Sequence, residues 1–288
     1  MKYLKIAAIV ALPLLAGTSE AQVSRVFVST SGNDGNDCLQ PATACRTLSG
    51  GIAKVDAHGE VIITQTGSYA GGTITKSVKI DAPLGVVAFT ATPLVLNPGP
   101  TGVIVVRGLT LKALIPGGGG GTGVWVIQGT LFLENSVIDG WDLGVEIAGN
   151  SKVFVKNTVF RNNSVGLKTI GNPIAVSIEG SFFENNSIGV MAHGGHVAVA
   201  RSVASGNDAG FQASGSATVL TIQFCQATHN GSGVQTISNG LARVSDSTIA
   251  GNGSGLHNGG GTLERFGTNL LSGNGVNFAG TITVGALQ

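Results

Sequence analysis

The chain has 288 residues, 46 of them glycine and only 11% charged, with a formal net charge of +1 and a positive mean hydropathy. That apolar content excludes a disordered chain, and near-neutral charge without any basic run argues against a nucleic-acid partner. What remains is a protein of turns and buried strands rather than of surface helices.

Lys2 and Lys5 precede an apolar run from Ile6 to Ala16, and Ser19-Glu20-Ala21 offers a small-residue cleavage site before Gln22. Residues 1–21 are therefore expected to be a secretory signal peptide, which places the mature chain in the periplasm or the medium. The run is shorter than the ~18 apolar residues that suggest a spanning helix. No later stretch reaches that length, so no membrane partner is expected.

Residues 22–58 read as an N-terminal cap segment. Asn33-Asp34-Gly35-Asn36-Asp37 is rich in oxygen ligands but lacks the spacing of a calcium loop, and reads as an Asx-rich turn. Cys38 and Cys45 bracket a short loop in a compartment that permits oxidation, which favours a local disulfide over free thiols or a metal pair. Arg46 to Ala57 carries Leu48, Ile52 and Val55 at helical spacing. A short helix there would fold over the first coil and cover an edge otherwise open to polymerisation.

From residue 59 to 288 the chain is repetitive. Asn-x-x-Gly recurs at Asn163, Asn186, Asn207, Asn230 and Asn252, with spacings of 23, 21, 23 and 22 residues. Trp141 occupies the preceding Asn slot and Asn274 a degenerate last one. Between the marks, apolar residues alternate in three short runs, such as Val145 with Ile147, Val153 with Val155, and Thr158 with Phe160. The expected fold is all-β, a right-handed single-stranded parallel β-helix with three short strands per coil of about 22 residues and an N-terminal capping helix. Equivalent slots then stack at ~4.8 Å. Asparagine amides can bond along such a stack, and glycine is expected to supply a turn with unusual dihedrals. The first inward slot of the third strand holds Ser136, Thr158, Ser181, Ser202, Cys225 and Ser247. Cys225 therefore reads as a core stand-in for serine rather than a reactive thiol. Two positions on, Phe160 is expected to stack on Phe183.

The opening segments carry a more specific likeness. Val26-Phe27-Val28-Ser29-Thr30-Ser31-Gly32-Asn33-Asp34, Cys45-Arg46-Thr47-Leu48, Gly59-Glu60-Val61-Ile62-Ile63 and Gly67-Ser68-Tyr69 resemble the amino-terminal region of bacterial secreted β-helix proteins of the pectate-lyase-like superfamily. In members that act on sugars, the resemblance implies a cleft along the outside of the first strand of each coil. Parity after the repeat glycine gives the outward column Trp125, Glu146, Lys168, Met191, Gln212, Gln235 and His257. Of these, Trp125 can stack on a sugar ring, Gln212, Gln235 and His257 can hydrogen-bond to hydroxyls, and Glu146 with Lys168 can contact the same ligand. The competing reading is a mixed solvent face.

Three chemistries can be weighed on this face. A lyase would use Lys168 as base with Glu146 tuning it, or His257, although Glu146 and Lys168 in adjacent coils read first as a cross-strand salt bridge. Asp139, Asp142 and Glu146 form an acidic group near Trp141 that suits Ca²⁺, yet they lie within one coil rather than on neighbouring coils. The paired aspartates of a hydrolase are missing. His193-Gly194-Gly195-His196 is the one close histidine pair and reads as turn decoration ahead of a metal site. The leading functional expectation is an extracellular module that recognises polysaccharide, as a monomer and without a required cofactor. A polysaccharide lyase or hydrolase acting on acidic polysaccharide is the first alternative, and a structural surface or adhesion protein the second.

Overall fold

The computed structural model describes residues 22–114 and 121–285. The expected signal peptide over 1–21 and the glycines 117–120 lie outside the described residues. Every strand pair among the described residues is parallel, and each coil lays its strands on those of the coil before. The coil after Trp141 shows the unit: a first strand Leu143–Ala148, a second strand Ser151–Lys156 and a short third strand Val159–Arg161. Among the described residues the third strands alone form a ten-stranded sheet. Repetition thus begins well before the coil of Trp141, where the Asn-x-x-Gly signal first becomes legible.

Period-two alternation follows from the pleat, which sends successive side chains to opposite faces. Val145 and Ile147 point in, as do Val153 and Val155, and all are buried. The register stacks Val153 on Val176 and Val197, and Val155 on Ile178 and Val199. Phe160 and Phe183 stack in the third-strand column with ring centroids 4.7 Å apart and planes 7° from parallel. In the next two coils this column shrinks to Ala204 and Ala227, while the first-strand column swells from Val190 to Phe211. Core volume is conserved by exchanging where the large ring enters, as close packing requires.

Two polar ladders fix the corners. At the turn between third and first strands, Asn186 donates its backbone N–H at 2.9 Å and its Nδ2 at 3.0 Å to Oδ1 of Asn207, and Nδ2 also donates to the Phe160 carbonyl at 3.1 Å. The pattern repeats through Asn163, Asn207, Asn230 and Asn252, all buried. Trp141 fits this slot because its indole Nε1 donates to the Leu111 carbonyl at 3.1 Å, as an asparagine amide does elsewhere, and its backbone N–H donates to Asn163 Oδ1.

The repeat glycines serve a different purpose from the one expected. Gly144, Gly166, Gly189, Gly210 and Gly233 have no left-handed φ; a Cβ on Gly189 would lie 2.5 Å from the Gly210 carbonyl oxygen, and one on Gly144 2.5 Å from that of Gly166. Glycine is there because consecutive coils come too close for any side chain. The left-handed conformation belongs instead to the residue before each ladder asparagine, such as Asn162, Asn185 and His229.

The second ladder lies at the corner between second and third strands. Ser202 Oγ donates to the Ala200 carbonyl at 2.8 Å and accepts the Ser181 backbone N–H at 3.1 Å. Cys225 sits in this column, buried, with Sγ 3.3 Å from the Gln223 carbonyl. Burial pushes its thiol up to about 11, against hydrogen bonds that act the other way.

The N-terminal end is closed as expected. Helix α1, Leu48–Lys54, buries Leu48 and Gly51, with Val55 buried just beyond it, and approaches so near that a Cβ on Gly51 would lie 2.7 Å from Val28 Cγ2. Thr47 caps it by accepting the Gly50 N–H at 2.9 Å. Asp34 organises the turn before it, accepting the backbone N–H groups of Arg46 and Thr47 and the Thr47 hydroxyl. Partial burial raises the Asp34 pKa, and these bonds with the Arg46 charge outweigh it, so the carboxyl lies below its usual range. Cys38 and Cys45 form the local disulfide.

Candidate functional site

The outward column read from the first strands is in register through its whole length. Trp125 pairs with Glu146, Glu146 with Lys168, Lys168 with Met191, Met191 with Gln212, Gln212 with Gln235 and Gln235 with His257. Trp125 is 41% exposed, but Gln212 departs from expectation: it is only 5% exposed and its Oε1 is buried without a hydrogen-bond partner. Gln212 is thus not presented to an extended ligand as Trp125 is. His257 Nδ1 lies 3.4 Å from Ser232 Oγ.

The expected salt bridge between Glu146 and Lys168 does not form. Glu146 accepts from Thr122 Oγ1 at 3.4 Å, and no ion pair among the described residues joins it to Lys168. The charges that do pair across coils lie elsewhere, as in Arg107 with Glu134 at 2.6 Å and Arg243 with Glu264 at 2.8 Å.

The acidic group read as suited to Ca²⁺ has partners within the chain. Asp139 lies on the third strand opposite Arg161, which donates to its Oδ2 from Nε and Nη2 at 3.3 Å, while Asn162 Nδ2 donates to Oδ1 at 2.9 Å. Both carboxylate oxygens are committed, and the arginine opposite them was not anticipated. Asp142 Oδ2 accepts the Gly121 N–H at 3.2 Å. Among the described residues no three His, Cys, Asp or Glu side chains gather as a metal site. His193 and His196 straddle a β-bulge: His193 Nδ1 lies 3.3 Å from Ser214 Oγ, and His196 belongs to the second-strand run between Ala175 and Val219.

A groove of about 220 Å³ lies instead on the outer face of the second strands. Its floor is made of small outward residues, Ala175, Ser177 and Ala198, and its borders of Lys152, Phe154, His196 and Thr221. At one end Phe132 and Phe154 stack on the surface, centroids 4.8 Å apart and planes at 11°, with Phe154 41% exposed. Lys152 and Lys156 flank Phe154 on the same face of one strand. The sequence did carry a signal for this: with Val153 and Val155 pointing in, Phe154 must point out, and a large aromatic on the outward parity is unusual for a solvent face.

The family described as right handed beta helix region matches residues 118–275. The chain belongs to this family. Among solved structures, the A-modules of the mannuronan C-5 epimerases AlgE4 and AlgE6 of Azotobacter vinelandii share the fold. The first superposes with a TM-score of 0.55 at 14% identity, covering 91% of this chain and 89% of that one. The second gives 0.51 at 14%, covering 92% and 89%. The pectate lyase Pel9A gives 0.49 at 15%, covering 93% and 80%. No curated protein matches the chain.

Proposed function

We propose that the protein is an exported module that recognises polysaccharide, holding an extended chain along the outer face of its second strands. The observation that carries this reading is the groove with the Phe132 and Phe154 stack at its end. An apolar trough with a few polar groups at its edge is the usual form of a small-molecule site, and aromatic faces accept the apolar faces of sugar rings. A ligand lying along the stack meets a new outward slot every ~4.8 Å, which suits a repeating polymer better than a compact molecule. Lys152, Lys156 and His196 supply the donors that would orient it. The epimerases that share the fold are named for mannuronan, which supports a polysaccharide as the class of ligand. Export is part of the reading: the Cys38–Cys45 disulfide, and the lack among the described residues of a helix long and apolar enough to cross a membrane, are compatible with it.

Affinity gel electrophoresis against acidic and neutral polysaccharides tests this directly. Binding lost in Phe154→Ala and kept in Trp125→Ala supports the second-strand groove. The converse result moves the site to the first-strand column of Trp125, Glu146, Lys168, Gln235 and His257. No retardation by any polysaccharide sinks the reading. A lyase is the second reading, favoured by Lys152 and His196 lining one groove, where either could take a proton from a uronate. Ultraviolet absorbance of an unsaturated product, measured with and without added Ca²⁺, would reveal it.

A further inference from the structure

The outward column of the third strands is apolar through its middle, where a solvent face should be polar. Phe89, Val137, Val159, Phe182, Val203 and Leu270 share one register with Ser68, Thr110, Gln226 and Thr248, so the apolar run is unbroken over the four coils from Val137 to Val203. Phe89, Phe182 and Leu270 are exposed. An apolar run on a protein surface marks a contact face.

The next outward column beside it alternates in charge: Lys112, Asp139, Arg161, Glu184. In the centre Asp139 and Arg161 pair within the chain. At the ends Lys112 and Glu184 have no ion pair among the described residues. They carry opposite charge and lie the same number of coils from the midpoint between Asp139 and Arg161.

We propose that a second copy of this chain packs on the third-strand face, antiparallel, about a two-fold axis that runs along the strand direction between the coils of Asp139 and Arg161. That operation lays Val137 over Val159, Phe89 over Val203 and Phe182 over Thr110 of the other copy. It also brings each unpaired Lys112 to the unpaired Glu184 opposite. A parallel arrangement, with the axis along the stack, would set the charged column against the corner residues and leave both charges unmatched. The self-complementary pattern is what an isologous contact demands. Spread over eight coils at ~4.8 Å spacing and about 10 Å wide, the face covers roughly 400 Å² per copy. That is about half the standard interface, so the dimer is weak and concentration-dependent.

Sedimentation velocity on the purified chain from about 1 µM to about 1 mM reads the association. The expected result is a shift from monomer to dimer, weakened at least about tenfold by Phe182→Asp, Lys112→Glu or Glu184→Lys, each of which sets like charges or a buried charge in the contact. Far-ultraviolet circular dichroism confirms that these surface variants stay folded. The decisive mixture is Lys112→Glu with Glu184→Lys: each alone repels itself, but the antiparallel pair restores two opposite-charge contacts, so the mixture must dimerise as tightly as the parent chain. A parent chain that stays monomeric throughout overturns the proposal. So does a dimer indifferent to these variants, or a mixture that fails to recover.

Discussion

At the scale of single residues, the ladders make sharp demands. Cys225 occupies a hydroxyl slot, buried, with its thiol pushed up to about 11. Its reaction with a maleimide in the folded protein should therefore be far slower than after denaturation. Cys225→Ser should change stability by less than about 1 kcal/mol, because the serine hydroxyl can accept the Ser202 N–H as its column neighbours do. Asn207→Ala should behave oppositely. It leaves the Asn186 N–H and one Nδ2 hydrogen without their acceptor and takes a donor from the Phe183 carbonyl, all in a buried site. At ~1–3 kcal/mol for each unsatisfied group, the loss should reach about 3 kcal/mol or more in urea denaturation. Column arithmetic exposed Cys225 in the sequence. The same arithmetic could not show that Gln212 would be buried, since parity gives the face of a side chain and not what lies over it.

At the scale of elements, the cap is held by a charge. Asp34 binds the start of α1 through three donors, and its folded pKa is depressed. A depressed carboxylate stabilises the fold above its unfolded pKa of about 3.9, and that contribution disappears as pH falls through the folded value. Asp34→Asn should thus be less stable than the parent at neutral pH, and the gap should close on acidification below about pH 4. Chemical denaturation at pH 7 and pH 3 measures it; a gap independent of pH would show that the carboxylate charge is irrelevant. The helix itself was legible from Leu48, Ile52 and Val55, whereas the role of Asp34 depends on a loop closing back over twelve residues. Similar reasoning separates the repeat glycines from their expected role. Spacing marked Gly189 as special, but only the stacked backbones show that the constraint is the Gly210 carbonyl and not a left-handed turn.

At the scale of the whole molecule, each coil makes its polar and apolar contacts with its immediate neighbours, so complete coils are exchangeable units. Deleting residues 186–206 joins Asn185 to Asn207 and removes one full period. That variant should fold cooperatively with a melting temperature near the parent's. Deleting half as many residues should abolish folding, because it puts inward columns on the outer face. Circular dichroism melts of the two deletions distinguish these outcomes.

The sequence by itself determined the β-helix, its period, its inward columns, the disulfide and the register of the outward column from Trp125 to His257. These follow from local rules repeated many times, pleat parity and the identity of small buried residues, and repetition averages out the ambiguity of any one coil. Tertiary structure decided which outward face is concave. The groove beside Phe154 arises where Ala175, Ser177 and Ala198 fall side by side from two adjacent coils. Its depth depends on the heights of neighbours twenty or more residues apart. It also decided that Asp139 pairs with Arg161 and that Glu146 forms no ion pair with Lys168. Slot position sets which backbones are adjacent, but charges pair through rotamers and competing donors, which a one-dimensional register does not contain.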